Sequence, residues 1–352
     1  MEQILLISVV TLGLVFAFIN GFHDGGNVIA TIVSSRSMSP RKALLIASMA
    51  EFLGPLSLGT AVAVTVGKDI IDPSCFVSGN NLIPGLLLIS ALVSAIVWDL
   101  LTWWVGMPSS SSHALVGGLV GAGIAAFGSD IVSWDNLFFK VILVLLVSPI
   151  IGMAAGYLVM KLSIFVFHNA HPRIGNLFKR MQLFSMVFLG ASHGTNDAQK
   201  SMGVITLMLF MSGGLSTFSV PGWVALGCAL SLALGVSFGG WRIIKTVGTK
   251  IFKVEPIHSF NAQLAAGSVI FAAGFLGGPV STTQIVGSTI VGVGAGHRAT
   301  DVRWIVVKDM IIAWLVTIPA STVLAGAIYL MASMALGQGM GGFENFMELL
   351  GQ

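Results

Sequence analysis

Charge is what this sequence has least of: Asp, Glu, Lys and Arg make up only 9% of its 352 residues, against about 25% in a soluble domain. That shortage excludes an ordinary soluble globule. Cysteine is nearly missing as well, and Cys75 and Cys228 lack the spacing of a metal or redox pair, so both read as small apolar side chains. No basic residue precedes the first apolar stretch, residues 4–20, and no small-residue cleavage site follows it. It is expected to be a retained helix and not a signal peptide. The net charge of +3 sits in a few loops, which excludes a nucleic-acid-binding face and leaves a topology signal.

What is present is apolar: 55% of the residues are hydrophobic and the mean hydropathy is +0.93. Runs of about 17–25 apolar residues, the length that crosses about 30 Å of hydrocarbon, occur ten times. They lie near 4–33, 43–66, 83–105, 109–127, 137–160, 181–211, 223–241, 257–277, 280–296 and 304–331. The first and sixth are long and carry glycine and polar residues in the middle, which predicts broken helices. Basic residues gather at Arg36, Arg41 and Lys42; at Lys161, Arg173, Lys179 and Arg180; at Arg242, Lys245, Lys250 and Lys253; and at Arg298, Arg303 and Lys308. Since basic loops stay inside, both termini are expected outside, on the same face as the 128–136 loop and the tail with Glu344 and Glu348.

Two motifs recur. Gly21-Phe22-His23-Asp24-Gly25-Gly26-Asn27 resembles Gly194-Thr195-Asn196-Asp197-Ala198-Gln199-Lys200 at an offset of 173, and Met107-Pro108-Ser109-Ser110-Ser111-Ser112-His113 resembles Gly278-Pro279-Val280-Ser281-Thr282-Thr283-Gln284 at 171. Two matches at nearly one offset predict a duplicated unit, residues 1–172 and 173–352. Five stretches per copy is odd, so the second copy runs through the membrane upside down. The expected fold is an all-α polytopic membrane protein with an inverted repeat of about 5+5 apolar segments, or 10–12 helices counting broken or re-entrant ones.

The chemistry lies in the polar residues that interrupt these runs. An ionised Asp at the bilayer centre costs at least about 2.5–3.5 kcal/mol, so Asp24 and Asp197 need a partner or a purpose. Asp24 with Asn27, and Asn196 with Asp197, offer the hard oxygen ligands of a hard cation. For the second copy the competing reading is a structural ion pair between Asp197 and Lys200, one turn apart. Ser109, Ser110, Ser111 and Ser112, and Ser281, Thr282 and Thr283, follow prolines and precede glycine-rich runs, as helix starts do. Free N–H groups, a partial positive charge and hydroxyls suit a tetrahedral oxyanion. The competing reading is helix glue. Glu51 has no basic residue nearby and no counterpart, since Val224 stands at its offset; it reads as a coupling or gating carboxyl, against a protonated structural one. Asp99 lies near a stretch end, within reach of the interface, His23 and His113 read as packed, and Trp103, Trp104, Trp304 and Trp314 as interface anchors.

The paired Gly-x-x-Asp-x-x-Asn and Gly-x-Asn-Asp motifs, with Pro-Ser-Ser-Ser-Ser at 108–112 and Pro-Val-Ser-Thr-Thr at 279–283, resemble the inorganic phosphate transporter (PiT) family of secondary carriers over about residues 15–320. The resemblance implies phosphate transport with sodium or protons and ties Asp24, Asn27, Glu51, Asn196, Asp197 and both hydroxyl clusters to it. Departures from the family pattern are His23 and Lys200, each in place of Asn, Gln263 in place of Glu and Gln284 in place of His. Sodium is the favoured coupling ion, held by Asp24, Asn27, Asn196 and Asp197, because the ligands are hard oxygens and Gln263 does not titrate. Proton coupling through Glu51, and sulfate or another oxyanion as cargo, stay open. An intramembrane hydrolase using Ser112 and His113 is disfavoured, since neighbours on a helix point about 100° apart. No enzyme activity and no covalent cofactor is expected. The partners expected are phosphate, sodium or protons and the bilayer of the cell (plasma) membrane, with a homodimer as an open option.

Overall fold

Hydrocarbon offers the backbone no hydrogen-bond partner, so each apolar run must satisfy its own N–H and C=O groups as helix. A computed structural model describes residues 2–57, 59–71, 82–171 and 173–337. Cys75, the 172/173 boundary expected between two copies, and the tail with Glu344 and Glu348 lie wholly or partly outside the described residues. The helices of the first half are α1 (Glu2–Ser34), α2 (Pro40–Ser57), α3 (Ala61–Val64), α4 (Leu82–Val105), α5 (Ser111–Phe127), α6 (Trp134–Asn136) and α7 (Leu143–Phe167). Those of the second are α8 (Ile174–Met211), α9 (Gly222–Phe238), α10 (Trp241–Lys245), α11 (Pro256–Phe275), α12 (Thr282–Arg298) and α13 (Trp304–Ala335). Among the described residues, four helical runs are long and apolar enough to cross a membrane, or six if the bent pairs α2–α3 (72°) and α9–α10 (59°) each count as one span.

The expectation of broken first and sixth segments fails: α1 and α8 are continuous helices of 33 and 38 residues. Their glycines serve close approach and not unwinding. A methyl group at Gly21 would strike the Leu232 carbonyl of α9, and one at Gly194 the Glu51 carbonyl of α2. The α1–α9 and α2–α8 pairs are parallel, with Leu14 beside Gly227 and Gly25 beside Val236, and Gly190 beside Ala50 and Gly194 beside Glu51. α1 and α8 themselves are antiparallel: Ser35 meets Gln182 at 3.2 Å, while Gly13 packs on Ile205. They cross midway between these contacts, where the Asp24 and Asp197 motifs lie.

The stretches 83–105 and 109–127 pack against each other as the arms of one hairpin. α4 runs beside α1, with Gly85 on Leu5 and Thr102 at His23, turns at Gly106 (φ 76°) and returns as α5, whose Gly118 packs on Ala91. α11 and α12, read as 257–277 and 280–296, repeat this from the opposite end. α11 starts where Gln182 donates to the Pro256 carbonyl (2.7 Å), turns at Gly277 (φ 75°), and α12 brings the His297 ring back to 4.7 Å from His258. Each turn is tied by a threonine of the other half: Thr246 Oγ1 donates to the Gly106 carbonyl at 3.0 Å and Thr65 Oγ1 to the Gly277 carbonyl at 2.8 Å. Hydropathy gives the apolar arms but not their pairing, because a turn between two apolar runs leaves the same trace wherever it lies.

Ser129 and Ser216 lie at one end of the bundle, near the Ile71–Val132 bridge and the Lys68–Phe218 contact, and Gly175 lies at the other, beyond Gln182 and Ser35. Single cysteines at Ser129 and Ser216 should therefore react with an impermeant thiol reagent from one side and a cysteine at Gly175 from the other. Labelling of all three from one side would contradict this arrangement.

Two side-chain expectations are corrected here. Asp99 is fully buried and does not reach the interface, and Trp314 is buried with its indole N–H donating to the Pro108 carbonyl at 3.0 Å. Trp104 and Trp304 are exposed, as interface anchors are. Trp103 packs against Phe22 and under the Arg242 guanidinium.

Candidate functional site

The two hairpin turns meet in the middle of the bundle. Ser112 Oγ, at the start of α5, donates to the Val280 carbonyl of the other turn at 2.9 Å. Each start is capped in the same manner: Ser110 Oγ accepts from the His113 N–H and Ser281 Oγ from the Gln284 N–H. The N–H groups of the first turn have no partner inside their helix, so two positive helix ends face one another across the centre.

Asp24 occupies that centre. Its Oδ1 accepts from Thr283 Oγ1 (2.7 Å) and lies 2.8 Å from His23 Nδ1, and its Oδ2 accepts from Ser111 Oγ (3.0 Å). Thr283 belongs to the second half and Ser111 to the first, so one carboxylate joins both hairpins. Asn27 Nδ2 lies 2.9 Å from Thr283 Oγ1, while Asn27 Oδ1 is buried without a hydrogen-bond partner. Around Asp197 the pattern recurs in part: Asn196 stands where the first copy has His23, and Ser112, the counterpart of Thr283, donates to Val280 and not to the carboxylate. Thr282 Oγ1 lies 3.3 Å from both carboxylate oxygens, where its counterpart Ser111 donates to Oδ2 of Asp24 alone, and the residue one turn on is Lys200. Its Nζ pairs with Asp197 Oδ1 at 2.7 Å and donates to Ser111 Oγ at 3.2 Å. The ion pair and the hydroxyl–carboxylate cluster are therefore one arrangement.

Glu51 also reaches the cluster, through a residue that sequence reasoning missed. His193 Nδ1 stands 3.3 Å from Glu51 Oε2 and Nε2 stands 3.5 Å from Asp197 Oδ2, both within ion-pair distance but outside hydrogen-bond geometry. The signal was present, since His193 lies four residues before Asp197 and so on its helix face. Thr102 was missed too; it bonds Ser109 Oγ at 2.6 Å and sits 3.3 Å from His23 Nε2.

Three expected residues stand apart from the centre. Gln263 accepts from Ser185 Oγ and faces the Val28 carbonyl, below the α11–α12 turn. Gln284 contributes its backbone N–H to the α12 cap, while its side chain joins His113 in lining a largely apolar cavity of about 320 Å³. Asn196 Nδ2 reaches the Gly278 carbonyl at 3.3 Å and holds the second turn rather than Asp197. Ser112 and His113 form no nucleophile–base pair, because the hydroxyl donates to Val280 and His113 Nδ1 faces the Trp314 carbonyl.

A family model described as the phosphate transporter family matches residues 20–325, which contain both motifs and both hairpins. The chain belongs to the phosphate transporter family. This transporter is 41% identical over 333 residues to a protein of Bacillus subtilis (strain 168) named "Probable low-affinity inorganic phosphate transporter", covering 94% of this chain and 98% of that one. A protein of Rhizobium meliloti (strain 1021) with the same name is 40% identical over 332 residues, covering 94% and 97%. A solved structure described as "The sodium-dependent phosphate transporter" superposes with a TM-score of 0.84 at 26% identity, covering 94% of the transporter and 99% of that chain. The transporter is thus a polytopic all-α membrane protein that moves phosphate, not an enzyme.

Proposed function

We propose that the protein carries inorganic phosphate by alternating access in symport with a cation, sodium first, and that residues 1–172 and 173–352 act as inverted halves around the site. The observation that carries this reading is the convergence of two capped helix starts from counterpart hairpins on Asp24. Phosphate lies between the N–H groups and hydroxyls at 109–112 and 281–283. The hydroxyls of Ser111 and Thr283 donate to Asp24, so a cation that takes over the carboxylate oxygens releases both donors to the oxyanion. Sodium is taken by Asp24 and Asn27, whose buried, unpartnered Oδ1 turns toward Asp24 by rotation of the amide. The solved relative whose description names sodium dependence supports this choice. The expected location is the plasma membrane, with the basic loops and the α11–α12 hairpin base on the inner side.

A proton is the second reading, and the file of Glu51, His193 and Asp197 favours it. Uptake of labelled phosphate into liposomes holding the purified protein, with sodium and proton gradients imposed separately, decides between them. Accumulation driven by the sodium gradient alone is expected. Accumulation driven by the proton gradient alone would transfer coupling to that file, and accumulation driven by neither would reject symport.

A further inference from the structure

Each copy builds an oxygen cage from a carboxylate and a hydroxyl of its own hairpin, Asp24 with Ser111 and Asp197 with Thr282, but the second cage contains an ammonium group. Asn27 in α1 and Lys200 in α8 stand at the same repeat position, one turn after Asp24 and Asp197. Where Asn27 leaves an unpaired amide oxygen, Lys200 places a charge against the matching carboxylate, with 1% of its surface exposed. Four carbons of side chain keep that charge from leaving. Of its three N–H donors one is used by Asp197 and one by Ser111, the hydroxyl at the start of α5. The third remains to meet an anion held between the helix starts.

We propose that Lys200 is a built-in cation: it fills the second of two symmetry-related cation positions, so the carrier moves one mobile cation fewer per phosphate than its two cages would hold. This rests on the cation-coupled reading above. Lys200 also supplies the fixed positive charge for phosphate that the two hydroxyl clusters themselves lack. A strongly hydrated mobile ion must be bound and released in each cycle, whereas the ammonium is carried by the fold.

The test compares purified wild type with Lys200→Asn, which gives the second cage the side chain of the first. In liposomes, uptake should depend on coupling-cation concentration to an order higher by one in the variant, and one further positive charge should move per phosphate, read from the reversal potential. Wild-type coupling with unchanged order and charge in the variant overturns the proposal and leaves the symport reading intact. A wild type that answers to neither gradient removes both. If Lys200→Asn fails to fold, a neutral pair, Lys200→Met with Asp197→Asn, removes the ammonium without stranding a charge. Its phosphate affinity by calorimetry in saturating sodium should fall about 10-fold or more, the scale of one charge-assisted hydrogen bond. Unchanged affinity there also overturns the proposal.

Discussion

Asp24→Asn should leave phosphate affinity the same in sodium as in choline, whereas the wild type should bind phosphate more tightly in sodium by roughly 5- to 150-fold, or about 1–3 kcal/mol of coupling. Asp24 is where cation and anion chemistry meet, because its two oxygens hold Thr283 of one hairpin and Ser111 of the other. An amide keeps the carboxylate's shape and one acceptor oxygen, but not the charge that holds a cation. The loss should therefore appear in linkage and not in folding. Calorimetry at constant ionic strength and pH reads the first and thermal unfolding in detergent the second. A variant that folds and keeps the wild-type sodium response would move the coupling site away from Asp24.

Asp197→Ala should produce the largest loss of stability of any single change in the site. The substitution leaves the Lys200 ammonium buried, with Ser111 Oγ as its remaining hydrogen-bond partner. Removing one member of a buried ion pair costs about 3–5 kcal/mol, because the charge left behind cannot return to water, and the next carboxylate, Asp24, is reached only through Ser111 Oγ. Adding Lys200→Met should recover much of the loss by removing the stranded charge. Unfolding temperatures of the wild type, the single and the double variant, measured in one detergent at one scan rate, test the order wild type above double above single. A single variant as stable as the wild type would show that the pair does not carry the load assigned to it.

Much of this site was legible because membrane insertion makes polar residues expensive, so each one that interrupts an apolar run carries information. Asp24, Asn27, Asp197, Ser111, Thr282 and Thr283 stand out on that ground, and the structure gathers all six into one cluster. The recurrence of their motifs pointed to a duplicated unit. Other features depend on what two distant segments do together. Nothing local tells that Lys200 reaches Ser111, or that Thr65 and Thr246 each tie down the opposite hairpin. The same limit explains the misreading of α1 and α8 as broken: glycine beside a polar residue fits an unwound turn and a close helix contact equally, and only the partner backbone of α9 or α2 decides. Gln263 drew notice through a family position, yet its side chain serves the α8–α11 contact instead.

The central claim is that a cation at Asp24 releases hydroxyl donors to phosphate, so that each ligand requires the other. Reciprocal titration of the wild type measures this directly: phosphate into protein with sodium or with choline, and sodium into protein with or without phosphate, at one pH and one ionic strength. The account predicts that sodium tightens phosphate and phosphate tightens sodium by the same factor. Equal phosphate affinity in sodium and in choline would contradict it.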